Sequence, residues 1–314
     1  MSLDPRARRF LETLAAMNPP SALALSIEER RAGLAHLLGF FGEADEVAAV
    51  DQFELTTPQG ALAVRAYTPL GVNVVDRLPG MLFFHGGGLV AGTLDTHDPI
   101  CRALSNASGC RVLSVGYRLA PEHRFPAAIA DGCAAVKWIA AHAEELYLDR
   151  ERLGISGDSA GATLAAVVCH TMTAQGQVPL AFQFLLCPIM DLAAETDSRR
   201  SLAQGYLVDR DTLEHDLKHY LAPDSERADP RISPLRAADV SGLPPTVVHT
   251  AEFDPLRDEG QAYAERLREA GVRTRYRCHP GMIHLFYGMR GLIAYAGVAF
   301  AQMGEDIRSL LRPV

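Results

Sequence analysis

The chain has 314 residues, 48% hydrophobic and 22% charged, with a formal net charge of −8. Length and composition of this kind suit a globular enzyme of one or two domains. The acidic balance, with no large basic cluster to reverse it, argues against nucleic acid or an anionic membrane as partner.

The N-terminal residues carry arginines and a helical pattern in place of the apolar core of a signal peptide. Apolar positions Phe10, Leu11, Leu14 and Ala15 predict an amphipathic helix over 5–17, ended by Asn18-Pro19-Pro20. Ser26 and Glu29 form a capping box that predicts a second helix through residue 38. Residues 47–55 and 61–67 read as two antiparallel strands joined near Pro58-Gln59-Gly60. Strands and helices then alternate: strand 81–84, a helix from about 96, strand 111–116, helix 126–141 and a strand at 152–156. Alternation of this kind predicts an α/β fold, a mostly parallel sheet with helices on both faces.

Two motifs sit at the ends of these strands. His85-Gly86-Gly87-Gly88 follows the apolar run at 81–84. Glycines let backbone N–H groups approach a substrate closely, as stabilising an oxyanion requires. His85 itself reads as a residue that fixes the loop. Gly157-Asp158-Ser159-Ala160-Gly161 follows strand 152–156 and precedes a buried helical run. It fits the G-x-S-x-G turn that exposes a nucleophilic serine.

Residues 180–187 predict a further strand. Helices without strands occupy 191–240, the clearest at 210–221. His215 and His219 have metal-ligand spacing there, but the charged neighbours Glu214, Asp216 and Lys218 indicate a solvated face, so no metal site is expected. Strand 246–251 is followed by Asp254. Strand 275–278 leads into the loop Pro280-Gly281-Met282-Ile283-His284. The order Ser159, Asp254, His284 is that of an α/β-hydrolase triad. Asp254, directly after its strand, is preferred over Asp258, one helical turn further on. The longest apolar run, 292–301, is too short to cross a bilayer, so no stable membrane insertion is expected. The six cysteines (Cys101, Cys110, Cys133, Cys169, Cys187, Cys278) show no C-x-x-C spacing, which suits a reduced, cytoplasmic protein. A Cys101–Cys110 bridge is the open alternative.

Together these residues resemble the hormone-sensitive-lipase-like family of α/β-hydrolases, the bacterial family IV esterases. The resemblance runs from about residue 46 to the C-terminus. It rests on the glycine loop, the block from Tyr117-Arg118-Leu119-Ala120-Pro121-Glu122 to Ala128, the elbow, Asp254-Pro255-Leu256-Arg257-Asp258, and Gly281-Met282-Ile283-His284 with Phe286. Asp158 before the serine is similar to the larger of the family's two branches. Leu89 stands where the family often has an aromatic, and Ala162 where it often has a second glycine.

The resemblance implies an eight-stranded α/β-hydrolase sheet, a helical cap and homodimers. Residues 1–45 and 192–225 are the expected cap segments, with 46–191 and 226–314 as the catalytic core. The expected activity is hydrolysis of short- to medium-chain acyl esters through an acyl-enzyme on Ser159, with His284 as base and Asp254 orienting it. Two of Gly86, Gly87 and Gly88, with Ala160, are the expected oxyanion donors. Leu89, Asp158, Ile283 and Phe286 are the expected pocket residues. No metal or organic cofactor is expected, and the partner is a small-molecule ester. An amide, carbamate or lactone substrate is the nearest alternative. A non-catalytic small-molecule receptor on the same scaffold is the more distant one.

Overall fold

The computed structural model describes residues 2–312. The Asp4 side chain accepts from the N–H groups of Arg6 and Ala7 and caps α1 (Pro5–Ala16). The Ser26–Glu29 capping box opens α2 (Ile27–His36). The α-helix stops two residues earlier than expected, because the chain tightens into a 3-10 turn at Leu37–Phe40. A hairpin follows, β1 (Ala49–Thr57) and β2 (Gly60–Thr68). Next come β3 (Leu78–Phe84), α3 (Asp98–Ser108), β4 (Arg111–Val115), α4 (Ala127–Ala141), β5 (Leu148–Asp158), α5 (Ala160–Gln175) and β6 (Phe182–Leu186). The chain finishes with α6 (Asp197–Ser201), α7 (Arg210–Tyr220), β7 (Thr246–Phe253), α8 (Arg257–Glu269), β8 (Thr274–Ile283) and α9 (Tyr295–Leu310).

The strands form one eight-stranded sheet in the order β1-β2-β4-β3-β5-β6-β7-β8. β2 pairs antiparallel with both its neighbours, and every other pairing is parallel. All of β3 is buried, as a strand covered on both faces must be. Leu82 and Phe84 face the core shared with α4, α5 and α8. Met81 and Phe83 face the core shared with α3 and α9. The parallel arrangement brings the C-terminal ends of β3, β5, β7 and β8 to one edge of the sheet, where open α/β sheets carry their sites.

One expected loop is strand. β8 runs on to Ile283, and Phe253 pairs with Ile283 beyond a register shift after Ala251. Pro280 and Gly281 sit in that irregularity, where a sheet tolerates them. The Gly281 N–H donates to Glu252 Oε2, and its carbonyl accepts from Asp4 N–H, which ties the N-terminus to the sheet edge. All six cysteines are unpaired, so Cys101 and Cys110 form no bridge. Among the described residues, no helix is long and apolar enough to cross a membrane.

α9 is fastened to the sheet by a buried acid. Asp306 accepts from His249 Nε2 at 3.0 Å and from Arg277 Nε at 2.9 Å, and also pairs with Arg275. Burial opposes its charge, but these three partners hold its carboxyl well below the usual range. Asp306→Ala leaves His249 and two arginines without their acceptor. Because both arginines are partly exposed, the expected loss is about 3 kcal/mol, the low end for breaking a buried pair. Urea denaturation of the two proteins measures it.

Candidate active site

Ser159 sits between β5 and α5 with φ +53° and ψ −126°, a conformation that side chains rarely adopt. Such a residue costs about 1–3 kcal/mol and persists only where its surroundings impose it. Here they do. The Ser159 N–H donates to Leu186 O at 2.8 Å. A Cβ on Gly157 would strike Gly161 and Phe84 O, and one on Gly161 would strike the carbonyls of Phe84 and His85. The two glycines therefore let the start of α5 press against the end of β3.

The glycine loop lies beside this turn. Gly87, Gly88 and Leu89 all have positive φ. His85 is buried, with Nδ1 2.8 Å from Gly86 O and its ring stacked on Tyr117. The Tyr117 hydroxyl donates to His85 O at 2.6 Å. Burial, then the neighbouring His97, pushes the His85 imidazole down to about 4, so it fixes the loop as a neutral ring.

Asp158 holds the same loop from the other side. Its Oδ1 accepts from Gly86 N–H at 2.8 Å and lies 3.3 Å from His97 Nε2. Its Oδ2 accepts from the Tyr287 hydroxyl at 3.0 Å. Burial works against its charge, but His97, Tyr287 and Gly86 outweigh it and keep the carboxyl below its usual range. This narrows the expected choice of two among Gly86, Gly87 and Gly88, because the Gly86 N–H is already committed to Asp158. Among the described residues, no protein acceptor takes the N–H of Gly87 or Gly88. These two, with Ala160 at the first position of α5, are the donors left open.

Asp254 follows β7, and both its oxygens are engaged. Oδ1 accepts from Leu256 N–H at 2.9 Å, and Oδ2 lies 2.7 Å from His284 Nδ1. Burial lowers the His284 pKa, but the charge and hydrogen bond of Asp254 outweigh it, and Asp158 adds to them. The net shift is upward from 6.5. Asp258 points elsewhere, accepting from Ser198 N–H and Arg257. Donor atoms of Cys187, Asp254 and His284 lie within 4.8 Å of one another. Burial, then Asp254, holds the Cys187 thiol well above its ordinary pKa.

Ser159 and His284 open into one cavity of about 290 Å³, which Leu89 and Asp158 also line. Ile283 and Phe286, expected in the pocket, do not line it. Both are buried on the core side, Phe286 against His279 and Tyr295. Leu285 has φ +62°, and this turn aims Leu285 into the cavity in their place. Much of the wall comes from two distant segments. Leu14, Arg30, Gly33 and Leu34 lie on one, and Leu213, Asp216 and Leu217 on the other. His215 is not on a solvated face. It is buried, with its ring nitrogens facing Asp216 Oδ1 and Leu25 O, both at 3.1 Å. The charged neighbours misled because α7 packs on the stretch around Ala22–Ala24. His97, Tyr287 and Arg30 were also missed, since no motif or spacing marks them.

Comparisons with known proteins bear on the fold and the activity. A family profile described as alpha/beta hydrolase fold matches residues 81–288. An ethyl acetate hydrolase of Pseudomonas putida is 34% identical over 99% of this chain and 100% of its own. Carboxylesterase NlhH of Mycobacterium tuberculosis is 41% identical over 80% of this chain and 78% of its own. The solved structure of an ester hydrolase from the metagenome of Lake Arreo, complexed with a bipyridine phosphonate derivative, superposes with a TM-score of 0.95. It is 39% identical and covers 98% of this chain and 99% of its own.

The contact at Gly161 is open to a direct test. Gly161→Ala places a methyl group on two backbone carbonyls that cannot yield. The expected loss is about 3 kcal/mol, the upper part of the range for overpacking. A shift in the denaturation midpoint reads it.

Proposed function

Because the chain belongs to the hormone-sensitive-lipase-like family of α/β-hydrolases and is a carboxylic ester hydrolase, we propose that it cleaves short- to medium-chain acyl esters at Ser159. The observation that carries this reading is the pairing of His284 Nδ1 with Asp254 at 2.7 Å, in a cavity shared with Ser159 and with the open N–H groups of the glycine loop. Asp254 engages Nδ1 and leaves Nε2 to take the Ser159 proton as the hydroxyl attacks the ester carbonyl. The carbonyl oxygen gains negative charge, and the N–H groups of Gly87, Gly88 and Ala160 stabilise it. The proton passes to the alcohol as the C–O bond breaks. Water, deprotonated by His284, then attacks the acyl-enzyme, and the proton returns to Ser159 Oγ as the acyl bond breaks and the carboxylic acid leaves.

The segments 1–45 and 192–225 act as a cap that closes over the acyl group. The cavity wall supports this, although it reaches past residue 225 to Arg231 and Ile232. Six unpaired cysteines support a reducing, cytoplasmic setting. Family membership supports a homodimer.

Ser159→Ala is expected to lower turnover of nitrophenyl esters by on the order of 10⁴-fold or more with the fold intact. Near-normal turnover in the folded variant would end this reading. Because His284 must be neutral to act as base and its pKa is raised, activity falls as pH drops through a value above 6.5. A kcat/KM profile from pH 4 to 9 locates that limb, and a midpoint at or below 6.5 contradicts the proposed coupling.

Gly33 tests the cap. It lines the cavity from α2, and a Cβ built there meets nothing within 4 Å. Gly33→Leu is therefore expected to fill cavity space and shift preference toward shorter acyl chains. The profile of kcat/KM across esters of rising length reads the shift, and an unchanged profile counts against the cap.

A further inference from the structure

Arg30 and Asp216 form a charged pair in an otherwise mostly apolar cavity wall. Arg30 Nη2 lies 2.7 Å from Asp216 Oδ2, and Arg30 Nε lies 3.0 Å from Oδ1. Their side chains are 15% and 8% exposed, so water screens them little. The pair joins α2 to α7, 186 residues apart in sequence. A second tie, from Ser21 Oγ to Asp211 Oδ2 at 2.5 Å, joins the same two segments.

The position of this carboxylate matters more than its partner alone. A Cβ on Gly88 would overlap Asp216 Oδ2, the oxygen that Arg30 Nη2 holds. The acid therefore rests directly on a glycine whose N–H is one of the open donors. A bare carboxylate there would oppose the negative oxygen that forms in the transition state. The guanidinium, bound through two hydrogen bonds, cancels that charge while the acid stays in contact with the loop. Among the described residues, the other side chain within hydrogen-bond distance of Asp216 is His215, whose Nδ1 is 3.1 Å from Oδ1.

We propose that Arg30 is a positioning residue for ester hydrolysis: it neutralises Asp216 against Gly88, so that the closed cap braces the oxyanion loop without opposing the oxyanion. This rests on the reading of Ser159 and the glycine loop given above. It makes the closure of α2 on α7 a condition of chemical competence as well as of substrate fit.

The test is a charge cycle on the full chain, with circular dichroism confirming the fold of each variant. R30Q exposes the acid to the oxyanion, and kcat is expected to fall by on the order of 10- to 100-fold with a smaller change in KM. R30K keeps the charge but gives up the fork that holds both carboxylate oxygens, and its kcat is expected to fall between those of R30Q and the wild type. R30Q/D216N removes the offending carboxylate and is expected to regain at least 10-fold of the lost kcat, if the loss is that large, and otherwise all of it. A pair that served packing alone would leave the double variant no better than R30Q, and that result overturns the proposal, as does an unchanged kcat in R30Q. Where R30Q does not fold, the comparison of D216N with R30Q/D216N decides. Loss of Arg30 in the D216N background is expected to cost less than about 3-fold, and a loss of 10-fold or more overturns the proposal. Wild-type enzyme and Ser159→Ala in the same assay separate this failure from failure of the underlying mechanism. A wild type without ester hydrolysis, or an active Ser159→Ala, removes the mechanism and this proposal with it.

Discussion

Backbone contact between the first turn of α5 and the end of β3 governs the arrangement of this molecule's chemistry. Gly161 meets the carbonyls of Phe84 and His85 at a separation that no side chain permits. The contact holds the start of a helix, with its unpaired N–H groups, beside a loop whose own N–H groups are also open. It forces Ser159 into its strained turn, and it brings Asp158 within reach of Gly86. Without that approach, the strand ends would still line up along the sheet edge. The donors and the hydroxyl would not converge.

Much of this was legible in the sequence because it is local. A glycine on each side of a serine, an apolar run before each motif, and the chain order of serine, aspartate and histidine are all properties of short segments. The alternation of strands and helices was legible for the same reason. What escaped was set by contacts between distant segments. Ile283 and Phe286 looked like pocket residues from their nearness to His284. The left-handed turn at Leu285 reverses which side chains face inward. His215 looked solvated from its charged neighbours, yet α7 lies against residues near Ala22, and nothing local announces that contact. Pro280-Gly281 reads as a loop in any window. The strand continues through it because β7 offers pairing partners beyond the irregularity.

Buried carboxylates in this chain serve different ends, and their partners decide which. Asp306 meets two guanidiniums and an imidazole, and the result is a fixed anchor for α9. Asp158 meets an N–H, a hydroxyl and an imidazole, and the result is a fixed loop. Asp254 meets one N–H and one imidazole beside the Cys187 thiol, and that imidazole lines the same cavity as Ser159. The three acids are alike in burial. They differ in the groups that each one meets.

The cavity and the strand ends also differ in origin along the chain. Gly87, Ser159, Asp254 and His284 lie at the ends of strands whose positions the sheet dictates. Much of the opposite wall comes from α2 and α7, which add nothing to the sheet. Drift in those two helices can reshape the chamber while the groups at the strand ends stay fixed. Their surfaces must nevertheless change together, since the Arg30–Asp216 pair joins them. A lineage of such enzymes can therefore diversify in diet quickly and in reaction slowly.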